Sequence, residues 1–490
     1  MRFRNTVAIA VLFLALGAYL YFVESEKIRE EGKKDRLVTL EADDVAGVVL
    51  EYPKTQQKIA LRKTAAGWRL QEPLEADGDE TAVDNLVRAI ADAELKRTLE
   101  GEIGAPETYG LATPEAVVHV ELDDGGKLPP IRVGKTTPVG YSTFVQLEGE
   151  STVKLVSSAF STGMKKEVKD LRDKVILEFE DKDVKRIELA SDESRFTLAR
   201  DGERWKIDEP QALAADDSEV RTFLSSLRSV RAQEFFDDAG ALDGFGLDRP
   251  RRRITLVVGK DDARKELLVG AEKERDGKKE LYVKRAGSDT VYGIGSYAWS
   301  NLGKTLDTFR DKTVLSVKKA EIGAIEVVRA DGESFRVARA AAKPAETPTP
   351  AEAGKETKPA AVDEDDWIVD GAGERSKEAQ VGQLVGDLQG LKGYEIAAEK
   401  PADLAVFGLA SPTLSFSVLD RQGKPLGRVL VSQIGGEGDA EKKAYAMAEG
   451  GDLVFRIRDY LYSHLDKKRV DLVEPETQSA TPTPTASPAS

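Results

Sequence analysis

The hexapeptide YGLATP at residues 109–114 returns as FGLDRP at 245–250 and as FGLASP at 407–412. Other landmarks keep step with it. Trp68, Trp205 and Trp367 lie 137 and 162 residues apart, and Gly110, Gly246 and Gly408 lie 136 and 162 apart. Unrelated landmarks sharing one period mark an internal repeat. Within the motif, the aromatic and the Leu read as apolar anchors flanking a Gly able to take a positive φ. The Pro holds the preceding residue extended and opens the next strand. The motif is therefore expected to plug a loop into the core and launch the second half of a sheet.

The helix after each Trp confirms the register. Val83, Leu86, Val87 and Ile90 follow i, i+3, i+4, i+7 spacing, as do Val220, Phe223, Leu224, Leu227 and Val381, Leu384, Val385, Leu388. Each set forms one apolar stripe on a helix. Asp77 and Asp79, and in the second copy Asp216, Asp217 and Ser218, suit the helix N-termini. Short alternating strands such as VAGVVLEY and KIALRK precede the Trp strand, and VVHVEL, IRVG, TFVQLE and TVKLVS follow the hexapeptide. A closing helix is expected around residues 160–171 and 299–309. LRDK at 171–174 recurs as FRDK at 309–312, and LDK at 465–467 reads as a weaker third copy. Hairpin-length loops between short strands imply an α+β fold: three tandem repeats, each mainly antiparallel sheet with two helices.

Residues 7–23, VAIAVLFLALGAYLYFV, follow Arg2 and Arg4 and carry no charge. Seventeen helical residues span about 25 Å, enough for a slightly thinned bilayer core. The apolar run continues past the small residues near Gly17, so an uncleaved single transmembrane helix is expected rather than a signal peptide. Interfacial aromatics fit the end of a membrane anchor. Lys and Arg lie on both sides of the span. The downstream ones are interleaved with acids, so the large domain is expected outside the cytoplasm. The chain then divides into a tail (1–6), the span (7–23), a juxtamembrane segment (24–39), repeat 1 (40–177), repeat 2 (178–316), repeat 3 (317–473) and a polar tail (474–490). A Pro-, Ala-, Glu- and Lys-rich insertion at 341–364 lengthens repeat 3. Composition predicts disorder for both the insertion and the tail.

The 490-residue chain carries a net charge of −15, which argues against nucleic acid as a partner. It has no Cys, which excludes disulfides and thiolate chemistry, and only two His, His119 and His464. No metal site and no cofactor is expected. Gly134-Lys135-Thr136 and Gly303-Lys304-Thr305 lack the upstream Gly of a phosphate loop, having Pro129 and Ala298 instead. GYSTF at 140–144 lacks the second Gly of a nucleophile elbow. His119 reads as a sheet-face residue and His464 as a helix-packing or surface one. The acids at 363–366 read as a solvated run, and Arg249, Arg251, Arg252 and Arg253 as a solvated strand edge. No catalytic residue is assigned.

With this pattern in view, the chain resembles the bacterial DUF4340 family, a domain of unknown function. The features carrying the resemblance are the N-terminal span, the Trp-strand-helix unit, YGLATP and FGLDRP followed by a strand, and LRDKVILEF with FRDKTVL. Genes for such proteins commonly stand beside ABC-type permeases and gliding-type auxiliary transport proteins. The resemblance thus implies a membrane-anchored, non-enzymatic accessory or scaffold of an export or surface-assembly system, with protein partners at the cytoplasmic membrane. A peptide- or glycan-binding module using grooves between repeats is the alternative, and a carboxylate-dependent hydrolase ranks behind both.

Overall fold

The computed structural model describes residues 36–99, 104–139, 141–340, 367–370, 376–435 and 442–474. The apolar run 7–23, the insertion 341–364 and all of the tail but Glu474 lie outside the described residues. Among the described residues no helix is long and apolar enough to cross a membrane.

Repeat 1 builds β1 (Val45–Tyr52), β2 (Gln57–Thr64), β3 (Gly67–Glu72), β4 (Ala76–Asp77), β5 (Leu95–Leu99), β6 (Ala116–Leu122), β7 (Ile131–Thr136), β8 (Ser142–Leu147) and β9 (Val153–Ser157). They form one nine-stranded sheet in the order 4-3-2-1-6-7-8-9-5. Helix α1 (Glu80–Ala91) leaves from β4 at one edge and delivers the chain to β5 at the other, so it crosses the sheet face. The four stripe residues of α1 are 0–3% exposed. Burying each stabilises the fold by about 1.5–3 kcal/mol.

Repeat 2 reuses the plan with β10 (Val184–Ala190), β11 (Arg195–Asp201), β12 (Arg204–Glu209), β13 (Leu213–Ala214), β14 (Glu234–Phe236), β15 (Arg252–Val258), β16 (Ala263–Arg275), β17 (Lys278–Arg285) and β18 (Val291–Gly295), in the order 13-12-11-10-15-16-17-18-14. The last residues of repeat 2 form β19 (Thr313–Ser316), which pairs with β23 (Gly390–Lys392) of repeat 3. Its main sheet, in the order 22-21-20-25-26-27-28-24, holds β20 (Ile322–Arg329), β21 (Ser334–Arg339), β22 (Trp367–Val369), β24 (Glu395–Glu399), β25 (Leu414–Asp420), β26 (Pro425–Ile434), β27 (Lys443–Ala448) and β28 (Leu453–Ile457). The pairing is mostly antiparallel, and the three sheets confirm tandem α+β repeats. The stripe residues of the two later helices are also 0–2% exposed. The chain forms two compact units. Among the described residues, one takes those within 1–184, 190–193 and 224–302, and the other those within 185–189, 194–223 and 303–490.

Each Trp is held the same way. Lys63, Arg200 and Arg339 pair across the hairpin with Trp68, Trp205 and Trp367. Their cations sit 5.9, 5.0 and 4.8 Å from the indole centroids. The backbone N–H of Trp68 donates to Glu80 at 2.6 Å and that of Trp205 to Asp217 at 2.7 Å, so first-turn carboxylates tie helix to strand. Asp79 accepts from the N–H of Ala82, and Asp216 from those of Ser218 and Glu219, as expected of caps. Lys377 holds the third N-cap position without a side-chain cap bond.

The hexapeptide behaves as expected in its backbone but not in its neighbours. Gly110, Gly246 and Gly408 take φ of 71°, 65° and 68°. The adjoining Leu247 and Leu409 belong to small apolar clusters with Tyr282 and Tyr445, separate from the helix-covered core. Tyr109, Phe245 and Phe407 meet Phe144, Tyr282 and Tyr445 at 4.9, 5.0 and 5.3 Å between centroids. The motif thus seals a satellite cluster of its sheet rather than plugging the main core. Gly134, within the first GKT, stands where a Cβ would come within 2.3 Å of the Tyr109 carbonyl. That Gly belongs to packing, and the same close approach recurs between Gly270 and Phe245.

Candidate functional site: the junctions between repeats

The expected closing helix is two short helices. In repeat 1 these are α2 (Ser158–Met164) and α3 (Val168–Leu171); in repeat 2, Trp299–Leu302 and Leu306–Phe309; in repeat 3, Asp459–Leu465 and Arg469–Leu472. The second GKT, residues 303–305, is the break between the two of repeat 2 rather than part of a helix. Where each final helix ends, the chain docks on the start of its own long helix. The N–H groups of Asp79, Asp216 and Lys377 donate to the carbonyls of Leu171, Phe309 and Leu472 at 2.9, 2.8 and 2.8 Å. Isolated bridges join Gly78 to Arg172, Ala215 to Arg310 and Ser376 to Val473. These matches correct the register of the third LRDK copy. Its structural counterpart is Leu472-Val473-Glu474, not Leu465-Asp466-Lys467.

The Arg of this motif grips the following repeat. Arg172 donates from both Nη atoms to Asp237, at 2.8 and 2.9 Å, and its guanidinium lies 4.3 Å from the Phe235 centroid. The Arg172 guanidinium beside Asp237 holds that carboxyl below the usual carboxylate range, and Thr290 adds a hydroxyl donor at 2.7 Å. Lys169 reaches Glu234 at 2.7 Å. In repeat 2 the same role falls to Arg310, which pairs with Glu399 and lowers its pKa. The next residues repeat as well: the N–H groups of Ala232 and Gly393 donate to the carbonyls of Lys174 and Lys312. The Lys174 and Lys312 ammonium groups cap carbonyls at the C-termini of their short helices, Asp170 and Thr308 among them.

One difference separates the two junctions. Lys392 donates to Asp216 at 3.0 Å. Burial alone would raise the Asp216 pKa, but Lys392 and the helix N–H groups outweigh it and lower it. At the equivalent place in the first junction, Arg231 turns to its own helix end instead, donating to the carbonyls of Arg228 and Val230. A recess of about 680 Å³ is left open there, between Trp68 and the start of α1 on one side and the segment from Asp173 to Glu178 on the other. Four of its five acids are engaged in local structure, all but Glu178: Asp77 with Arg69 at 2.7 Å, Asp79 as the cap, Glu80 with Trp68, and Asp173 with the N–H of Val175.

The remaining candidates sit in local settings. His119 pairs across the strands with Val49 and lies 3.4 Å from Glu51. His464 contacts Asp387 at 3.2 Å and Gln383 at 3.0 Å, packing its short helix on the long one. Ser142 of GYSTF is the first residue of β8 and is buried. Among the described residues no group of three or more acids or imidazoles is placed to hold a metal. The acids at 363–366 lie outside the described residues. The Arg cluster departs from the expected solvated edge. Arg253 pairs with Glu266 at 2.6 Å and Arg251 stacks on Trp299, but Arg252 is only 5% exposed, and its Nε and Nη1 have no partner. Alternation puts Arg252 in phase with the buried Ile254 and Leu256, a signal already present in RRRITLVV.

The family model for DUF4340, a domain of unknown function, matches residues 68–206, 205–365 and 367–482, opening at or beside a repeat Trp each time. No curated protein and no solved structure matches the chain. The three matches together run through most of the sequence, and the chain belongs to the DUF4340 family.

Proposed function

We propose that this protein is a non-enzymatic, single-span envelope protein that serves as an accessory or scaffold of an ABC-type export or surface-assembly system. The observation that carries the reading is the repeated Arg–carboxylate clamp. Arg172 with Asp237 and Arg310 with Glu399 each use a largely buried guanidinium to join one repeat to the next. The perturbed carboxylates Glu150, Asp216, Asp237, Asp331 and Glu399 all have lowered pKa values, as ion-pair and hydrogen-bond anchors do. The apolar run 7–23 tethers the repeats at the cytoplasmic membrane, with the repeats outside the cytoplasm, and raises their effective concentration near a partner.

Carbonate washing of membranes tests the tether: the full-length chain should stay with the pellet, and a shortened soluble form would refute it. Protease added to intact spheroplasts should digest the repeats; protection until lysis would reverse the orientation. Crosslinking with mass spectrometry in native membranes should recover transport-system subunits. A second reading, capture of a peptide or glycan, is favoured by the open recess at the first junction. It requires that substitutions lining the recess abolish capture without lowering the melting temperature.

A further inference from the structure

The sheet corner where β24, β27 and β28 meet differs in repeat 3 from its counterparts. Pairing registers align Lys443 with Glu280 and Ser142, because Ala444, Leu281 and Thr143 face Ile457, Ile294 and Val156. The same registers align Arg456 with Gly293 and Leu155, opposite Glu395, Glu234 and Arg97. Arg458 then matches Gly295 and Ser157, one residue past each β-bridge. The other two repeats build this corner from Ser, Gly, Leu and Glu with one cation, Arg97, so the fold itself does not call for a cluster of them. Repeat 3 puts three there and adds Lys442.

These cations converge on one ring. The Arg456 and Arg458 guanidinium carbons lie 5.4 and 5.2 Å from the Tyr394 centroid. With Lys442 and Lys443 they line a recess of about 170 Å³ in which Asp459 is the one acid among the described residues. Glu395 compensates Arg456 from outside it, at 3.3 Å. Like charges held this close repel unless an anion lies between them, and in a chain of net charge −15 their concentration is not a matter of bulk composition. We infer that this corner of repeat 3 is a binding site for a phosphate group, held by Lys443, Arg456 and Arg458 with Tyr394 as its floor. Guanidinium forks match phosphate oxygens in geometry as well as charge, and ammonium groups add unoriented charge.

The phosphate can come from solution or from a lipid headgroup, and two arms separate the sources. The full-length chain in uncharged detergent is titrated calorimetrically with inorganic phosphate at constant ionic strength. In parallel, the full-length chain reconstituted by its own span in phosphatidylcholine vesicles is tested by flotation for capture of a second set of vesicles, made of phosphatidylglycerol or of phosphatidylcholine. Lys443→Ser and Arg458→Ser introduce the residues that repeat 1 carries, so both should fold with an unchanged melting temperature. Saturable phosphate binding weakened at least tenfold by either variant is the expected result and identifies the free ion as sufficient. Binding only to phosphatidylglycerol vesicles, lost in both variants, supports the site with a lipid as the source. Wild-type chain that binds neither, or variants that bind as wild type does, would overturn the assignment. So would binding seen only after Glu437, Asp439 and Glu441 are replaced by Ser, which would make the chain's own acids the occupant.

Discussion

Replacing Arg172 by Ala should loosen the first junction more than any exposed charge change in the protein. The side chain is 13% exposed and makes two charge-assisted hydrogen bonds to Asp237, itself 37% exposed. Hydrogen bonds to charged groups contribute about 1.5–3 kcal/mol when shielded, but exposed ion pairs retain only about 0.2–1 kcal/mol. This pair lies between those limits, and the stacking on Phe235 adds about 0.5–1 kcal/mol. A total near 2–3 kcal/mol follows. Arg172→Met keeps the packing of the aliphatic stem and isolates the charge. Urea unfolding of the full-length chain, followed by Trp fluorescence, reads the loss. Because neighbouring repeats are coupled through this contact, the transition should also broaden. A double-mutant cycle with Asp237→Asn should return a coupling of about 1–2 kcal/mol. Coupling below about 0.5 kcal/mol, the scatter of ordinary surface changes, would refute the clamp.

Gly246→Val should cost about 2–4 kcal/mol, since φ is +65° and a Cβ would come within 2.9 Å of the Ala271 backbone N; an unchanged melting curve would contradict this. Gly382→Ala has the opposite sign. It sits within a helix with open space around it, so the melting temperature should rise by the equivalent of about 0.5–1 kcal/mol. Acid should weaken the junctions. The folded-state pKa values of Asp237 and Glu399 are lowered, so their stabilisation is complete above the unfolded carboxylate value and is lost as pH falls through the folded one. An Asp237→Asn protein should show a shallower decline in melting temperature below pH 4 than wild type.

Local order was legible in the sequence because it is periodic. The helix stripes from Val83 to Ile90, Val220 to Leu227 and Val381 to Leu388 need only neighbours three and four residues away. The glycines of the hexapeptide were legible for the same reason, as each conformation is local. The clamps were not. Arg172 meets its acid 65 residues downstream and Arg310 its acid 89 downstream, with different acids, Asp and Glu, at the two places. The third LRDK copy was misplaced because its helix is kept while its charge is not. Leu472 is as buried as Leu171 and Phe309, but the residue after it is Val473, so a search for the charged triplet settles on Asp466 and Lys467. Those two serve another contact, the Asp466 carboxylate and Lys467 carbonyl both accepting from Arg329.

Val473 stands where the other two junctions have Arg172 and Arg310, and it separates two jobs of the motif. Each family match opens at or beside a Trp, so the unit that recurs holds the long helix, the second half-sheet, the docking strand and the junction motif in one piece. A junction Arg is 10–13% exposed in its clamp, and a charge so placed is tolerable only with its carboxylate present. Repeat 3 carries Val473 at this position. Val keeps the backbone bridge, and the neighbouring Lys377 N–H still donates to Leu472. The docking of each helix on its own repeat and the grip on the next are therefore separable functions of adjacent residues. Repeat 3 retains the first and has Val473 in place of the Arg that performs the second.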